Sequence, residues 1–385
     1  MKLDIVFPRL PPAIDGIGDH TVQLASGLAA LGHDVRILTR RPDPSTAASL
    51  LRNNVEVAES WPDGNLRKTD SLIRNVAKRS PDWVMLQFEQ FSYGDRGFNP
   101  NLSHFFSQAR LQSPSTQFML YAHENYTKAS SPKKALLSFY QRRQFQNLTL
   151  SASLIAITTD AWRNGRDFHG VQPLTIPVFS NIPLLVPRPS ASVRQQFDIP
   201  TDRPLAINFG NYDPSRASYI LEAARSMAAE PYTFAYLGKD TEAMLHLLHG
   251  IENVHVVTVD RPTGEEISEL LSSADISLAP FADGVTGRRG SFLAALQHGL
   301  PTVTTISVSN TFLSKAHRDG AFAATRVGNP AEYGLMASQL ISDRTRLSRM
   351  SVQAADCYRT NFSIELSLER LSAEMKRTAN FVPRK

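Results

Sequence analysis

Short apolar runs alternate with longer stretches of helical periodicity along most of the chain. In the first half the runs are Lys2 to Phe7, Asp34 to Thr39, Trp83 to Phe88, Phe118 to Ala122 and Leu154 to Thr158. This alternation predicts parallel strands joined by crossover helices. The first helix is expected from Asp19 to Leu31, with Leu24, Leu28 and Leu31 on one face and Gly32 ending it. Prolines then cluster at Pro173, Pro177, Pro183, Pro187, Pro189, Pro200 and Pro204. They remove donors and fix backbone angles, which marks a domain junction. From Leu205 the pattern restarts, with strands expected at Leu205 to Phe209, Tyr232 to Leu237, Val254 to Val259 and Asp275 to Pro280. Helices are expected between them at Ser215 to Ala229, Thr241 to Leu248 and Gly264 to Ser273.

A length of 385 residues exceeds one ordinary core and suits two domains. These are expected at 1–186 and 187–362, followed by a helix at 363–380 that packs back on the first domain. Hydrophobic content of 42% and charged content of 20% describe a globular, enzyme-like chain. There is no apolar stretch of signal-peptide or membrane-span length, and Cys357 is the only cysteine, so a cytosolic location without an internal disulfide is expected. The formal charge of +5 and pI near 9.3 come without a Lys/Arg block. That argues against nucleic acid and towards nucleotides or anionic lipid head groups as partners.

The strand expected at Asp275 to Pro280 runs into Asp283-Gly284-Val285-Thr286-Gly287-Arg288-Arg289-Gly290-Ser291, then into an apolar helical segment. Open α/β sheets bind ligands at this carboxyl edge. Glycines let a backbone approach a ligand, a helix N-terminus offers unpaired amides, and guanidinium forks match phosphate oxygens. An anionic ligand is therefore indicated, the plainer alternative being a solvated loop. A second glycine loop, Pro11 to Thr21, holds Gly16 and Gly18. Thr21 and the long approach from Phe7 do not fit a dinucleotide fingerprint. Asp19 reads equally as a ligand-facing carboxylate or as the helix N-cap.

His123 and Glu124 end the strand Gln117 to Ala122 at the same edge, without the second histidine of a zinc hydrolase. His246 and His249 lack further ligands, and no two aspartates are separated by a single residue. No metal and no other cofactor is expected. The segment Lys128 to Leu150 mixes Lys128, Lys133, Lys134, Arg142 and Arg143 with Leu136, Leu137, Phe139, Tyr140 and Phe145. A crossover helix with a charged outer face is its ordinary reading, and a face lying on an anionic bilayer is the other.

Taken in order, these pieces resemble the GT-B glycosyltransferases, specifically glycosyltransferase family 4, over nearly the whole length. The resemblance rests on Gly16-Ile17-Gly18, Leu31-Gly32-His33-Asp34-Val35, His123, Phe209-Gly210, Leu237-Gly238, Ala274-Asp275 through Pro280, and Ala295-Leu296-Gln297-His298-Gly299-Leu300-Pro301. It implies an α/β chain of two Rossmann-like domains facing an interdomain cleft. A nucleoside-diphosphate-sugar donor would be held mainly by the second domain and an acceptor by the first. The implied donor-binding residues are Gly16, Gly18, Gly210, Arg216, Gly238, Asp283, Gly284, Gly287, Gly290 and Ser291. Asp19, His20, Glu89 and Glu124 would lie on the acceptor side, with His123, Arg288 and Arg289 catalytic.

The family's retaining reaction needs no protein nucleophile, because the leaving diphosphate helps to deprotonate the attacking hydroxyl. Positive groups that stabilise that diphosphate supply much of the catalysis. The sequence departs from the family in two respects that bear on this. Thr286 and Ala294 stand where the usual glutamate pair would fall, and Asn211 takes the place of the usual arginine, leaving Arg216 as the nearest cation. Arg288 and Arg289 are candidates for the diphosphate role, with Asp283 or Ser291 binding hydroxyls. Two other readings stay open: a catalytically silent nucleotide-sugar-binding protein on the same fold, and an inverting enzyme with His20 as general base. The acceptor is expected to be a glycan, a lipid-linked glycan or a small molecule, and the inner face of a membrane is a candidate place of action.

Overall fold

The structure, a computed structural model, describes residues 1–381 apart from 14, 62–64, 67, 164–165 and 308–310. The chain forms two compact units, one of Met1–Pro177 with Ile364–Lys385 and one of Val178–Ser363.

The first unit runs β1 (Lys2–Val6), α1 (Gly16–Ala30), β2 (Asp34–Arg40), α2 (Pro44–Arg52), β3 (Val55–Trp61), α3 (Asp70–Arg79), β4 (Trp83–Phe88), α4 (Pro100–Gln112), β5 (Gln117–Ala122), α5 (Pro132–Ser151), β6 (Leu154–Ile157) and β7 (Leu174–Thr175). Its parallel sheet has the order β3-β2-β1-β4-β5-β6-β7. Ile5 pairs with Ile37 on one side and Met85 on the other, and all three are fully buried. The continuous apolar runs follow from helices covering both faces of a parallel sheet. Charge is tolerated inside where it is paired. Asp4 on β1 is fully buried and accepts from Arg36 on β2 and Arg79 on α3, each at 2.6 Å, so its burial is compensated by paired hydrogen-bonded charges.

α1 begins at Gly16 rather than Asp19, because Asp15 is its N-cap and accepts from the amides of Ile17 and Gly18. The capping alternative for Asp19 is thereby corrected: Asp19 lies inside the first turn. Leu24 and Leu28 are buried, whereas Leu31 is the C-cap and exposed. α14 (Ile364–Phe381) belongs to this unit. A Cβ on Gly27 of α1 would stand 2.4 Å from Leu368, and buried His33 shares a 2.9 Å hydrogen bond with Ser372. The glycine and the histidine thus serve the close packing of α14 on this unit.

The second unit runs α6 (Ser190–Gln196), β8 (Leu205–Phe209), α7 (Ala217–Met227), β9 (Tyr232–Gly238), α8 (Thr241–Leu248), β10 (Val254–Asp260), α9 (Gly264–Ser273), β11 (Ile276–Ala279), α10 (Gly290–Gln297), β12 (Thr302–Ile306), α11 (Thr311–Arg318), β13 (Ala323–Arg326), α12 (Pro330–Ser342) and α13 (Arg344–Asn361). Its parallel sheet has the order β10-β9-β8-β11-β12-β13. The unit begins at Val178, before the expected boundary at 186. Ile182 joins Val193 and Ile199 in a core cluster with Leu205 and Leu237, so the proline segment from Val178 onward packs on the unit that follows it.

In both sheets the strand order reverses beside the first strand, between β1 and β4 and between β8 and β11. Connections leave such neighbours in opposite directions and open a crevice at their carboxyl ends. No helix among the described residues is long and apolar enough to cross a membrane.

Candidate functional site

In the second unit, the chain beyond β8 passes Gly210 and Asn211 to Arg216, and the chain beyond β11 passes Phe281 to the glycine-arginine loop. The guanidinium carbons of Arg289 and Arg216 lie 4.8 Å and 5.8 Å from the Phe281 ring centroid. Two cations therefore share one aromatic ring across the crevice. Asp283 pairs with Arg289 at 2.5 Å and Asp213 with Arg216 at 3.6 Å. Nη2 of Arg216 also donates to the Asn211 carbonyl at 2.6 Å. Burial pulls the pKa of Arg216 down and the Arg289 charge adds to this, against the attraction of Asp213. A cation held near another cation in partial burial favours an arriving anion.

The glycines of this edge have distinct reasons. A Cβ on Gly238 would stand 2.1 Å from the Gly210 carbonyl oxygen, so the ends of β8 and β9 close together only with glycine. Gly284 has φ +85 and a Cβ there would meet the Ser307 amide at 2.6 Å. Gly287 faces Phe362, while Gly210 lies beside Ser291. Gly290 opens α10, which has Arg289 as N-cap and no side-chain capping bond, so the helix start is suited to an anion. Arg288 is half-buried in the same loop, and its amide donates to the Thr286 hydroxyl at 3.4 Å.

Ala294 is fully buried and packs with Leu205, Ile207 and Leu237. A glutamate there would bury an uncompensated charge. His298 donates from Nδ1 to the Ala294 carbonyl and accepts at Nε2 from Ser268, each at 2.8 Å, which makes it a tie between α9 and α10.

The corresponding edge of the first unit gathers residues from four elements. His123 follows β5, and its Nε2 donates to Oε1 of Gln87 on β4 at 2.6 Å, which fixes the orientation of the ring. The His123 ring stacks on Tyr121 at 5.0 Å and meets His20 of α1 edge-on at 4.9 Å. Burial pulls the pKa of His20 down to about 3, so it is neutral at physiological pH. Arg9, beyond β1, pairs with Asp15 at 2.5 Å and donates to Ser92 at 3.1 Å. Ser92 in turn donates to Glu89 at 2.8 Å, and the Phe91 amide does so at 3.0 Å. Burial raises the pKa of Glu89; these donors and Arg9 oppose the rise and the Glu124 charge adds to it.

Gly18 and Gly16 differ. A Cβ at Gly18 would stand 2.3 Å from the Arg9 carbonyl oxygen, whereas one at Gly16 would meet nothing within 4 Å. Gly18 is thus explained by packing and Gly16 borders open space. Arg9, Asp15, Gln87 and Ser92 were not singled out by the sequence. Nothing in their local sequence pairs them, and Arg9 and Asp15 become partners only once β1 and α1 are folded. Among the described residues no group of three or more His, Cys, Asp or Glu side chains could hold a metal ion.

Two parallel α/β units of this topology define the fold of the GT-B glycosyltransferases. More specifically, residues 203–343 match the sequence model of the family described as glycosyl transferases group 1. Similar solved structures include sucrose-phosphate synthase from Thermosynechococcus elongatus, at 16% identity, 98% coverage of each chain and a TM-score of 0.72. A glycosyltransferase from Rickettsia africae is 13% identical over 99% of each chain, with a TM-score of 0.73. HepE from Anabaena, solved in complex with UDP and glucose, is 15% identical over 98% of this chain and 100% of its own, with a TM-score of 0.67. No curated protein matches the chain by sequence.

Proposed function

We propose that the chain transfers a sugar from a nucleoside-diphosphate donor to a hydroxyl acceptor, without a metal and with retention of configuration. The observation that carries this reading is the pair Arg216 and Arg289 on Phe281, at the crevice of the unit that holds the family match. That edge takes the diphosphate, with the arginines neutralising the leaving group, and Arg288, Asp283, Ser291 and the start of α10 lie around it. The complexes of HepE with UDP and with UDP-glucose support this class of donor. His123 is assigned to the sugar. Glu89, Glu124 and Asp19, joined by Arg9 and Ser92, are assigned to acceptor hydroxyls. Asp15 already occupies two amides at the start of α1, which favours Gly16 and Gly18 bordering the sugar over binding phosphate. A pKa of about 3 makes His20 a poor general base near neutral pH and weighs against the inverting reading. Action in the cytoplasm, on a glycan, a lipid-linked glycan or a small molecule, completes the proposal.

A thermal-shift panel of nucleoside diphosphates and nucleotide-sugars tests the donor class. A ligand present at about 100 times its dissociation constant adds about 2.7 kcal/mol to stability. At least one diphosphate and its sugar derivative should raise the melting temperature, and no shift with any of them would refute the donor site.

A further inference from the structure

We propose that the outer face of α5, with the loop after β4, docks on an anionic lipid bilayer. α5 is the crossover from β5 to β6, and Gln141, Phe145, Leu148 and Thr149 are buried on its inner side. Its outer side carries more than charge. Leu136 and Phe139 are 69% and 74% exposed, and with Arg143 they follow one helical face at the spacing of neighbouring turns. Phe98, from the loop after β4, is 58% exposed and meets Tyr140 of α5 edge-on at 5.7 Å. The Tyr140 hydroxyl donates to the Arg96 carbonyl at 2.5 Å, which fastens that loop to the helix.

The charge around these apolar side chains has one predominant sign. α5 contains no aspartate or glutamate. Lys128, Lys133, Lys134 and Arg143 are exposed, and none forms an ion pair among the described residues. Arg96 is exposed beside Asp95, the one acid between Gln90 and Asn99. Arg142 is different: it pairs with Asp167 at 2.7 Å and lies over Tyr126, so it is structural. Exposed aromatic and leucine side chains ringed by cations match an interface of acyl chains and phosphate head groups. A second copy of this chain would set the same cations against each other, which disfavours symmetric pairing through this face. The loop that carries Phe98 begins near Glu89, so docking would hold the proposed acceptor edge close to the bilayer. The docking itself stands whether or not sugar transfer is the reaction.

The test is flotation of the full chain with vesicles of phosphatidylcholine alone or mixed with phosphatidylglycerol, at low and high salt. Wild type should bind the mixed vesicles, weaken with salt and leave neutral vesicles largely unbound. The triple variant Lys133→Ser, Lys134→Ser, Arg143→Ser should bind mixed vesicles about a hundredfold more weakly. The pair Leu136→Ser, Phe139→Ser should lose binding while its circular dichroism stays that of wild type, as expected for exposed positions. Docking is overturned if wild type ignores phosphatidylglycerol or binds both vesicles equally. It is overturned equally if both variants float like wild type, or if the apolar pair alters only a monomer–dimer equilibrium.

Discussion

Replacing Arg216 and Arg289 together with alanine should abolish nucleoside-diphosphate binding while leaving the second unit folded. Both guanidiniums stand over Phe281, and each is only loosely or peripherally neutralised, Asp213 being 3.6 Å from Arg216 and Asp283 more exposed than Arg289. Losing one buried, charge-assisted contact costs about 2 to 5 kcal/mol. Even the lower figure is about thirtyfold in affinity for each arginine. Neither side chain belongs to the apolar clusters of this unit, so circular dichroism should not change. Calorimetric titration with the diphosphate that stabilises wild type most strongly is the measurement. An unchanged affinity in the double variant would remove the arginines from the donor site.

His123→Ala is expected to cut turnover by about 10² to 10³, the scale of losing one oriented hydrogen-bonding group from an active site. Nucleotide affinity should stay close to that of wild type, because the histidine is assigned to the sugar and not to the diphosphate. A contact made chiefly in the transition state appears in kcat rather than in ground-state binding. The ring is held by Gln87 at 2.6 Å and by stacking on Tyr121, so Gln87→Leu should reproduce part of the loss by freeing the ring. Equal losses of turnover and nucleotide affinity would give His123 a structural role instead.

Much of the fold was legible because parallel strands buried on both faces leave uninterrupted apolar runs. Trp83–Phe88, Leu205–Phe209, Thr241–Leu248 and Gly264–Ser273 appear with the bounds expected of them. β12 was not anticipated, because its sequence is Thr-Val-Thr-Thr-Ile. Its threonines are buried all the same. Thr304 and Thr305 donate to the carbonyls of Ala279 and Phe281, each at 2.6 Å, and hydroxyls satisfied in this way leave no hydrophobic signature. The sequence pattern places the start of α1 late because Asp15 and Asp19 are both capping residue types, and only backbone geometry decides that Asp15 is the cap and Asp19 lies in the first turn.

The candidate site was legible in part. The loop 283–291 and His123 stand out through glycine, charge and position at a strand end. The partnership of Arg289 with Arg216 spans β8 and β11, and that of Arg9 with Asp15 and Ser92 spans β1, α1 and β4. Such pairs depend on which strands become neighbours at the reversal of strand order, and no local pattern encodes that order.

Sugar transfer itself is tested most directly by proton NMR of the purified chain, incubated with the nucleotide-sugar that stabilises it most and with excess EDTA. The anomeric signal of the donor should decay as free nucleoside diphosphate appears, through transfer or slow hydrolysis, at a rate unaltered by the chelator. The new anomeric signal should have the configuration of the donor. Complete loss of turnover with EDTA, restored by magnesium or manganese, would contradict metal independence, and an inverted product would contradict retention. A donor that binds tightly yet is never cleaved with or without metal, across glycan, lipid-linked and small-molecule acceptors, would contradict catalysis and leave a nucleotide-sugar-binding protein.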